Sequence, residues 1–241
     1  MADNYGLQLS ANPKRNLFQE FGGKKYARYP VNTPFFNLGD SLEDFIDSYL
    51  KKDFQESDIL CISAKVVSIA NKFVVHESEV SPSWLAKLIV KFVKKWPNDP
   101  GYANPRKMQV AINQAGYFRM IIALIVGTFL KIFGIKGYFY RIAGNQINAI
   151  DGFTSGPISG KYAILPPKDS DGMCNKFEDQ YGIACAIIDG NNIENNILGM
   201  GDRLKKYFDK KTLMHVLQGN PQCQEDEGVR TPMLLVREIK Q

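Results

Sequence analysis

A mixed α/β (α+β) fold built on a mixed sheet is what this sequence predicts, on three observations. Helical and strand-like patterns intermingle along its 241 residues. The strand-like segments cluster late, which does not suit the regular strand–helix alternation of a doubly wound sheet. No internal repeat period stands out. With 44% hydrophobic residues the chain can bury a substantial core, in one domain or in two closely joined lobes. Its 23% charged residues set it apart from disordered chains.

Taken in order, residues 1–27 are polar and glycine-containing. They read as an arm or irregular lead-in to one domain over 28–241. "GDSLEDFIDSYL" opens on an N-cap signature, Ser41 with Asp44, and its Leu42, Phe45, Ile46 and Tyr49 form a helical stripe. "DILCISAKVVSIANKFVV" (58–75) is rich in β-branched residues and reads as a strand, a bend near Ser63–Lys65, and further extended structure. "SPSWLAKLIVKFVKKW" (81–96) reads as an amphipathic helix, with Leu85, Leu88, Ile89, Phe92 and Val93 opposite Lys87, Lys91, Lys94 and Lys95. "FRMIIALIVGTFLKIFGIKG" (118–137) is the most apolar run. It is too short and too interrupted by Lys131 for a spanning helix, so a helix buried in a core or a subunit interface is expected. "YFYRIAG", "INAID", "KYAILPP" and "IACAIIDG" read as successive strands, with a short helix over 168–182. A partly helical stretch (195–217), a polar loop (218–232) and a final strand "MLLVREI" complete the chain.

Composition excludes several kinds of chemistry. A net charge of +5 suits an anionic ligand, but no Arg/Lys tract with interleaved aromatics points to nucleic acid. His76 and His215 are isolated and the four cysteines form no CxxC pair, so neither a His-rich nor a cysteine zinc site fits. Any metal must be a hard, oxygen-ligated ion such as Mg or Mn. The polar N-terminus and the unpaired cysteines read as a reduced, cytoplasmic protein. A membrane partner is disfavoured, although the lysines at 87–95 and the apolar run at 118–134 keep a membrane-surface reading open.

Two segments share a pattern suited to phosphate chemistry. "INAID-GFTSG" and "ACAIID-GNN" each end an apolar run in Asp-Gly, at Asp151 and Asp189. Two strand-end carboxylates could hold divalent cations beside a nucleotide triphosphate; Asp-Gly is equally a common turn opener. "CISAKVVS" adds Ser63, Lys65 and Ser68, and a lysine in an apolar segment needs water or an anion. Thr154, Ser155 and Ser159 follow Asp151 among glycines whose backbone N–H groups could turn toward an anion. Asn220, Gln224 and Arg230 lie in the polar loop near the end.

Together these pieces resemble the coenzyme F-420-0:L-glutamate ligase (γ-glutamyl ligase) family, in its bacterial sub-branch, from about residue 28 onward. "NLGDSLEDFIDSYL" looks like the family's "PGDDLxxxI", and "DILCISAKVVSIANKFVV" like "DVLVxSSKIVSxAEGxxV". "INAIDG" is similar to "ANAGID", with local spacing that differs by one residue. "AIIDGNNIENNILGMG" is similar to "VVDANDLGVNVLG", and "GNPQCQEDEGVRTPMLLVRE" to "GNPxGQxxEQTPxxxxR".

The resemblance implies an intertwined homodimer and a GTP-dependent ligase that uses Mg or Mn. Such a ligase joins L-glutamate to a carboxylate, that of coenzyme F-420-0 or another acceptor, through an acyl phosphate. It implies metal binding at Asp151 and Asp189, a catalytic set of Lys65, Asp151 and Asp189, and nucleotide contacts at Ser63, Lys65, Ser68, Thr154 and Asn220. Three departures bear on the substrate more than on the fold. Thr154 stands where the family has Asn, Gly190 where the ligases have Thr, and Ala64 where the family has Ser. They leave a second expectation open, a nucleotide- and metal-binding homologue without turnover.

Overall fold

The computed structural model describes residues 5–93, 101–135, 137–144, 147, 149–153, 158, 160–190, 195–223 and 228–239. The chain forms two compact units, Met1–Asn71 with Pro167–Gln241, and Lys72–Pro166. In chain order the described elements are β1 (Gly6–Leu7), β2 (Phe18–Phe21), β3 (Lys24–Asn32), α1 (Leu42–Tyr49), β4 (Ile59–Ser63), α2 (Ala64–Ala70) and β5 (Val74–His76). Then come α3 (Trp84–Ile89), α4 (Pro105–Ala115), α5 (Tyr117–Ile132), α6 (Tyr138–Ala143), β6 (Asp151–Gly152) and β7 (Tyr162–Ile164). The chain ends with α7 (Ser170–Tyr181), β8 (Ala184–Gly190), β9 (Asn195–Met200), α8 (Asp202–Lys205), α9 (Lys210–Val216) and β10 (Met233–Ile239).

The first unit is organised by a mixed sheet of order β1-β3-β10-β4-β8-β9, with β2 also paired to β3. Among the described strands only β4 and β8 run parallel, Ile59 opposite Ala184 through Ser63 opposite Ile188. Their near-continuous apolar sequences fit this position, since every residue of β4 and the first five of β8 are buried. Strand β10 lies antiparallel between β3 and β4 and buries Met233, Leu234, Leu235 and Val236. Each such side chain contributes roughly 1.5–3 kcal/mol. Helix α1 starts where its cap predicts, with Ser41 Oγ accepting from the Asp44 amide at 3.1 Å. Residues 6–7 and 18–21, read from sequence as part of an irregular lead-in, are edge strands of this sheet.

Three buried charged side chains of this unit, Asp58, Glu178 and Arg28, are held by hydrogen bonds, although the Arg28 Nε has no partner among the described residues. Asp58, fully buried, takes two bonds from Arg237, at 2.7 and 2.8 Å, and one from the Gln55 amide. Glu178 of α7 accepts from the amides of Cys185, Arg203 and Leu204 at 2.7–3.0 Å. Arg28 donates to the carbonyls of Val216, Gln218 and Asn16, closing the C-terminal end of α9.

The second unit is mainly helical and carries a three-stranded antiparallel sheet, β5-β7-β6. Its core gathers Leu85, Ile89, Met108, Ile112, Met120 and Ile147. Gly116, at φ +87, separates α4 from α5, whose axes differ by 112°.

Several sequence readings need correction. Residues 64–70 are helix α2, not extended chain, because as a helix Val66, Val67 and Ile69 are all buried, which outweighs their β propensity. "YFYRIA" is α6, not a strand; it packs on α5, where Gly127 leaves room for Phe139. The apolar residues before Asp151 turn instead of extending: Ile150 donates to the Ile147 carbonyl, both side chains enter the core, and β6 is two residues long. Helix α3 is shorter than the helix expected over 81–96: it ends at Ile89, and residues 90–93 follow as a turn and bend, with the Lys91 and Phe92 amides donating three residues back to the carbonyls of Leu88 and Ile89; Lys94–Trp96 lie outside the described residues. Helix α5 is not buried within this chain; of its sixteen residues only Met120 and Ala123 are buried. Among the described residues no single helix is long and apolar enough to cross a membrane.

Candidate active site

The carboxyl ends of the parallel pair β4 and β8 concentrate the polar groups singled out in the sequence. In open α/β sheets this end is where ligands bind, because the strands leave it and loops and helix starts gather there. Ser63 is the last residue of β4 and faces Ile188 across the pair, one residue before Asp189. Ser63 also stands at the N-cap of α2, in extended conformation, yet its hydroxyl does not cap the helix. Lys65 follows as the second residue of α2 and is exposed, so it belongs to a strand–helix junction and not to a strand. Ser68, one turn on, is buried, and no group among the described residues completes a hydrogen bond to its Oγ.

Asp189 is half-buried on β8, opposite Asn196 of β9. Just before it the β8–β9 register shifts at Ile187/Ile188, with Gly199 opposite Ile187 and Ile197 opposite Ile188. A bulge of this kind interrupts the ladder and re-aims the residues that follow. Gly190 closes the strand and is buried.

The loop before β10 is stitched to the same strand end. The Gln222 amide, buried, donates to the carbonyls of Cys61 (3.3 Å) and Pro232 (3.1 Å). Thr231 Oγ1 donates to the Gln222 carbonyl at 2.7 Å, and Asn12 donates to Pro221 O and Thr231 Oγ1. Pro232 O accepts from the Ser63 amide at 2.8 Å. Asn220 is buried two residues before Gln222, with φ +48. Ser63, Lys65, Asp189 and the Asn220–Gln222 corner are thus brought to one end of one sheet. Gln222 was not singled out as a site residue from sequence; its only signal was a place between Pro221 and Cys223 in a loop full of polar residues.

Asp151 belongs to the other unit. It opens β6, pairs in register with Ile164, and its Oδ1 accepts from the Gly152 amide at 2.7 Å. Gly152 (φ +116) passes so close to β7 that a Cβ would meet Tyr162 O at 2.1 Å, which no side chain tolerates. Burial, then Tyr140, and also the charge of Asp151 push the Tyr102 phenol well above its ordinary value. Lys107, itself buried, sits 5.1 Å from the Tyr102 ring centroid. Sequence reasoning missed Tyr102 as a neighbour of Asp151, and Lys107 beside that ring. Thr154, Ser155, Ser159 and Gln224 lie outside the described residues.

Nucleophilic thiol chemistry does not fit the described residues. All four cysteines are buried and none forms a disulfide. Burial pushes the Cys61 and Cys185 thiols up, and Cys174, hydrogen-bonded to Cys185, pushes that thiol further. A protonated thiol is a poor nucleophile. Among the described residues no three His, Cys, Asp or Glu side chains converge on a common metal position.

The family model described as F420-0:Gamma-glutamyl ligase matches residues 30–188, more than half of the chain. The matched span contains Ser63, Lys65, Ser68 and Asp151 and ends one residue before Asp189. No curated protein matches the chain.

Proposed function

The chain belongs to the F420-0:gamma-glutamyl ligase family, and from that premise we propose that it joins the amine of L-glutamate to a carboxylate acceptor, with GTP and a divalent cation, Mg or Mn. The acceptor is coenzyme F-420-0 or another small carboxylate. The observation that carries this reading is the gathering of Ser63, Lys65 and Asp189 at the carboxyl ends of two adjacent parallel strands.

In this reaction a carboxylate oxygen of the acceptor attacks the γ-phosphorus of GTP. The bond from that phosphorus to the β–γ bridging oxygen breaks and GDP leaves. The glutamate amine then attacks the acyl carbon, phosphate departs, and the amine proton passes to solvent. Lys65 offsets negative charge on the transferring phosphoryl group, which matters most as that charge spreads over its equatorial oxygens. Ser63 and Ser68 offer hydroxyls and Asn220 an amide to the nucleotide, joined by Thr154. Asp151 and Asp189 are the residues that would hold the cation. Carboxylates of this kind suit a hard ion that completes its shell with water and phosphate oxygens, as Mg does. When bound, the ion supplies charge neutralisation on those oxygens. Assembly as a homodimer is part of the proposal and is read by sedimentation.

The test is release of GDP and phosphate with L-glutamate, Mn and a panel of carboxylates that includes coenzyme F-420-0. Turnover requiring all components, lowered about a hundredfold or more by Asp189→Asn or Lys65→Met, is the expected result. A second reading, binding without turnover, is favoured by Ala64 and Gly190. Under it, calorimetry registers GTP with Mn while no member of the panel releases phosphate.

A further inference from the structure

Helix α5 has two unlike faces. On one, Met120 and Ala123 are buried, and a Cβ on Gly127 would lie 2.9 Å from the Phe139 Cβ. On the other, Phe118, Ile122, Ile125, Phe129 and Ile132 recur at i, i+4, i+7, i+11 and i+14, with Phe133 beside the last. Phe118 is 82% and Ile132 76% exposed, and the other four lie between 44% and 65%. A surface helix ordinarily turns charged and polar residues outward; here the outward stripe is wholly apolar.

The surroundings of this stripe are basic. No Asp or Glu occurs between Pro100 and Ile150, a stretch with six Lys and Arg. The whole unit Lys72–Pro166 has twelve Lys and Arg against four Asp and Glu, while the rest of the chain has eighteen against twenty-one. Arg119 and Lys131 are exposed on α5 itself, Lys87 on α3 and Lys91 just beyond it. Exposed aromatics accompany them. Gln109 accepts from the Ser83 amide at 2.9 Å and lies 3.3 Å from the Tyr117 hydroxyl, which sets Trp84, 67% exposed, near the start of α5. Tyr138 lies under the Arg141 guanidinium, 5.0 Å from ring to cation.

We propose that α5 docks this unit on a membrane surface containing anionic lipid, lying in the plane of the headgroups with its apolar stripe among the upper acyl carbons. The pairing of an apolar stripe with cationic flanks is what such helices use: apolar burial supplies depth, and the cations are drawn to negative headgroups. Tryptophan and tyrosine at the margin suit the headgroup level. Charge also disfavours pairing of this stripe with the same stripe of a second copy, since that contact would set one basic surface against itself.

The experiment is co-sedimentation of the full chain with vesicles of phosphatidylcholine alone and of phosphatidylcholine mixed with phosphatidylglycerol. Binding to the mixed vesicles about tenfold above the neutral ones, declining as salt is raised, is expected. Ile125→Glu with Phe129→Glu, both at exposed positions, should lower it about tenfold while the thermal unfolding curve stays in place. In a chain otherwise unchanged, Phe118→Trp fluorescence should be quenched by lipids brominated in the acyl chain. The proposal is overturned by indifference to both vesicle types, by equal and salt-insensitive binding to them, or by unchanged binding of the folded double variant. Absence of quenching by brominated lipid overturns it too, as does a dimer that Phe129→Glu dissociates.

Discussion

In the unit formed by Met1–Asn71 and Pro167–Gln241, four buried polar side chains fix loops and backbone ends to one another. Asp58 holds Arg237, Glu178 gathers three amides, Arg28 gathers three carbonyls, and Gln222 ties a loop to β4. In the unit Lys72–Pro166 the allocation is reversed. Eleven of the seventeen large apolar side chains exposed among the described residues lie there, in the smaller of the two units. The difference teaches that the first unit resembles a scaffold made to hold a constellation still. The second leaves part of its apolar surface for something outside the chain.

The comparison is tested most severely at Asp58. Arg237→Leu leaves a fully buried carboxylate without its cation, and a loss of about 3–5 kcal/mol is expected in urea unfolding of the first unit. Glu178→Ala follows at roughly 3 kcal/mol, because the amides of Cys185, Arg203 and Leu204 lose a common acceptor; Glu178→Gln, which keeps one oxygen, should recover part of it. Were either change silent, polar stitching would not be what sets the first unit apart.

In the second unit the sensitive point is backbone shape. Gly152→Ala, with φ +116 and a Cβ 2.1 Å from Tyr162 O, should cost about 2–3 kcal/mol, seen as accelerated amide exchange in β6 and β7.

The smallest effect concerns Asp171. Burial pushes its carboxyl up, but the Met200 amide and Lys205 outweigh that and hold it below the ordinary aspartate range. The stability it adds is therefore present above the unfolded value and is lost as pH falls through the lower folded one. The side chain is half exposed, so screening keeps the contribution slight. Asp171→Asn should flatten the acid limb of the unfolding curve a little and leave neutral pH almost unchanged.

Much of the first unit was legible because its elements are long or well punctuated. Strand β10 spans "MLLVREI" as read, α7 lies within the predicted stretch, and α1 begins at its cap. The failures came from short apolar runs. "AKVVSIA" and "YFYRIA" have β-branched or aromatic composition but fold as helices of seven and six residues, too short to display a period. Asp189 and the Ser63–Lys65 junction were legible because an apolar strand ending in a polar residue marks its own exit. Gln222 and Tyr102 were not, since their neighbours are set by tertiary contacts far along the chain. The exposure of α5 was hidden for a related reason: composition identifies an apolar face without saying what covers it.

The corner at Gly116 has a mechanical consequence. Helices α4 and α5 together hold twenty-seven residues, which end to end would make a rod of about 40 Å, longer than the roughly 30 Å hydrocarbon layer of a bilayer. One glycine folds that rod through 112° into a bracket. On the docking proposed above, such a bracket would lay α5 along a surface that a straight rod could pierce. Its hold would be made and broken at equilibrium, so residence would follow the ionic conditions around the protein instead of being fixed once during synthesis.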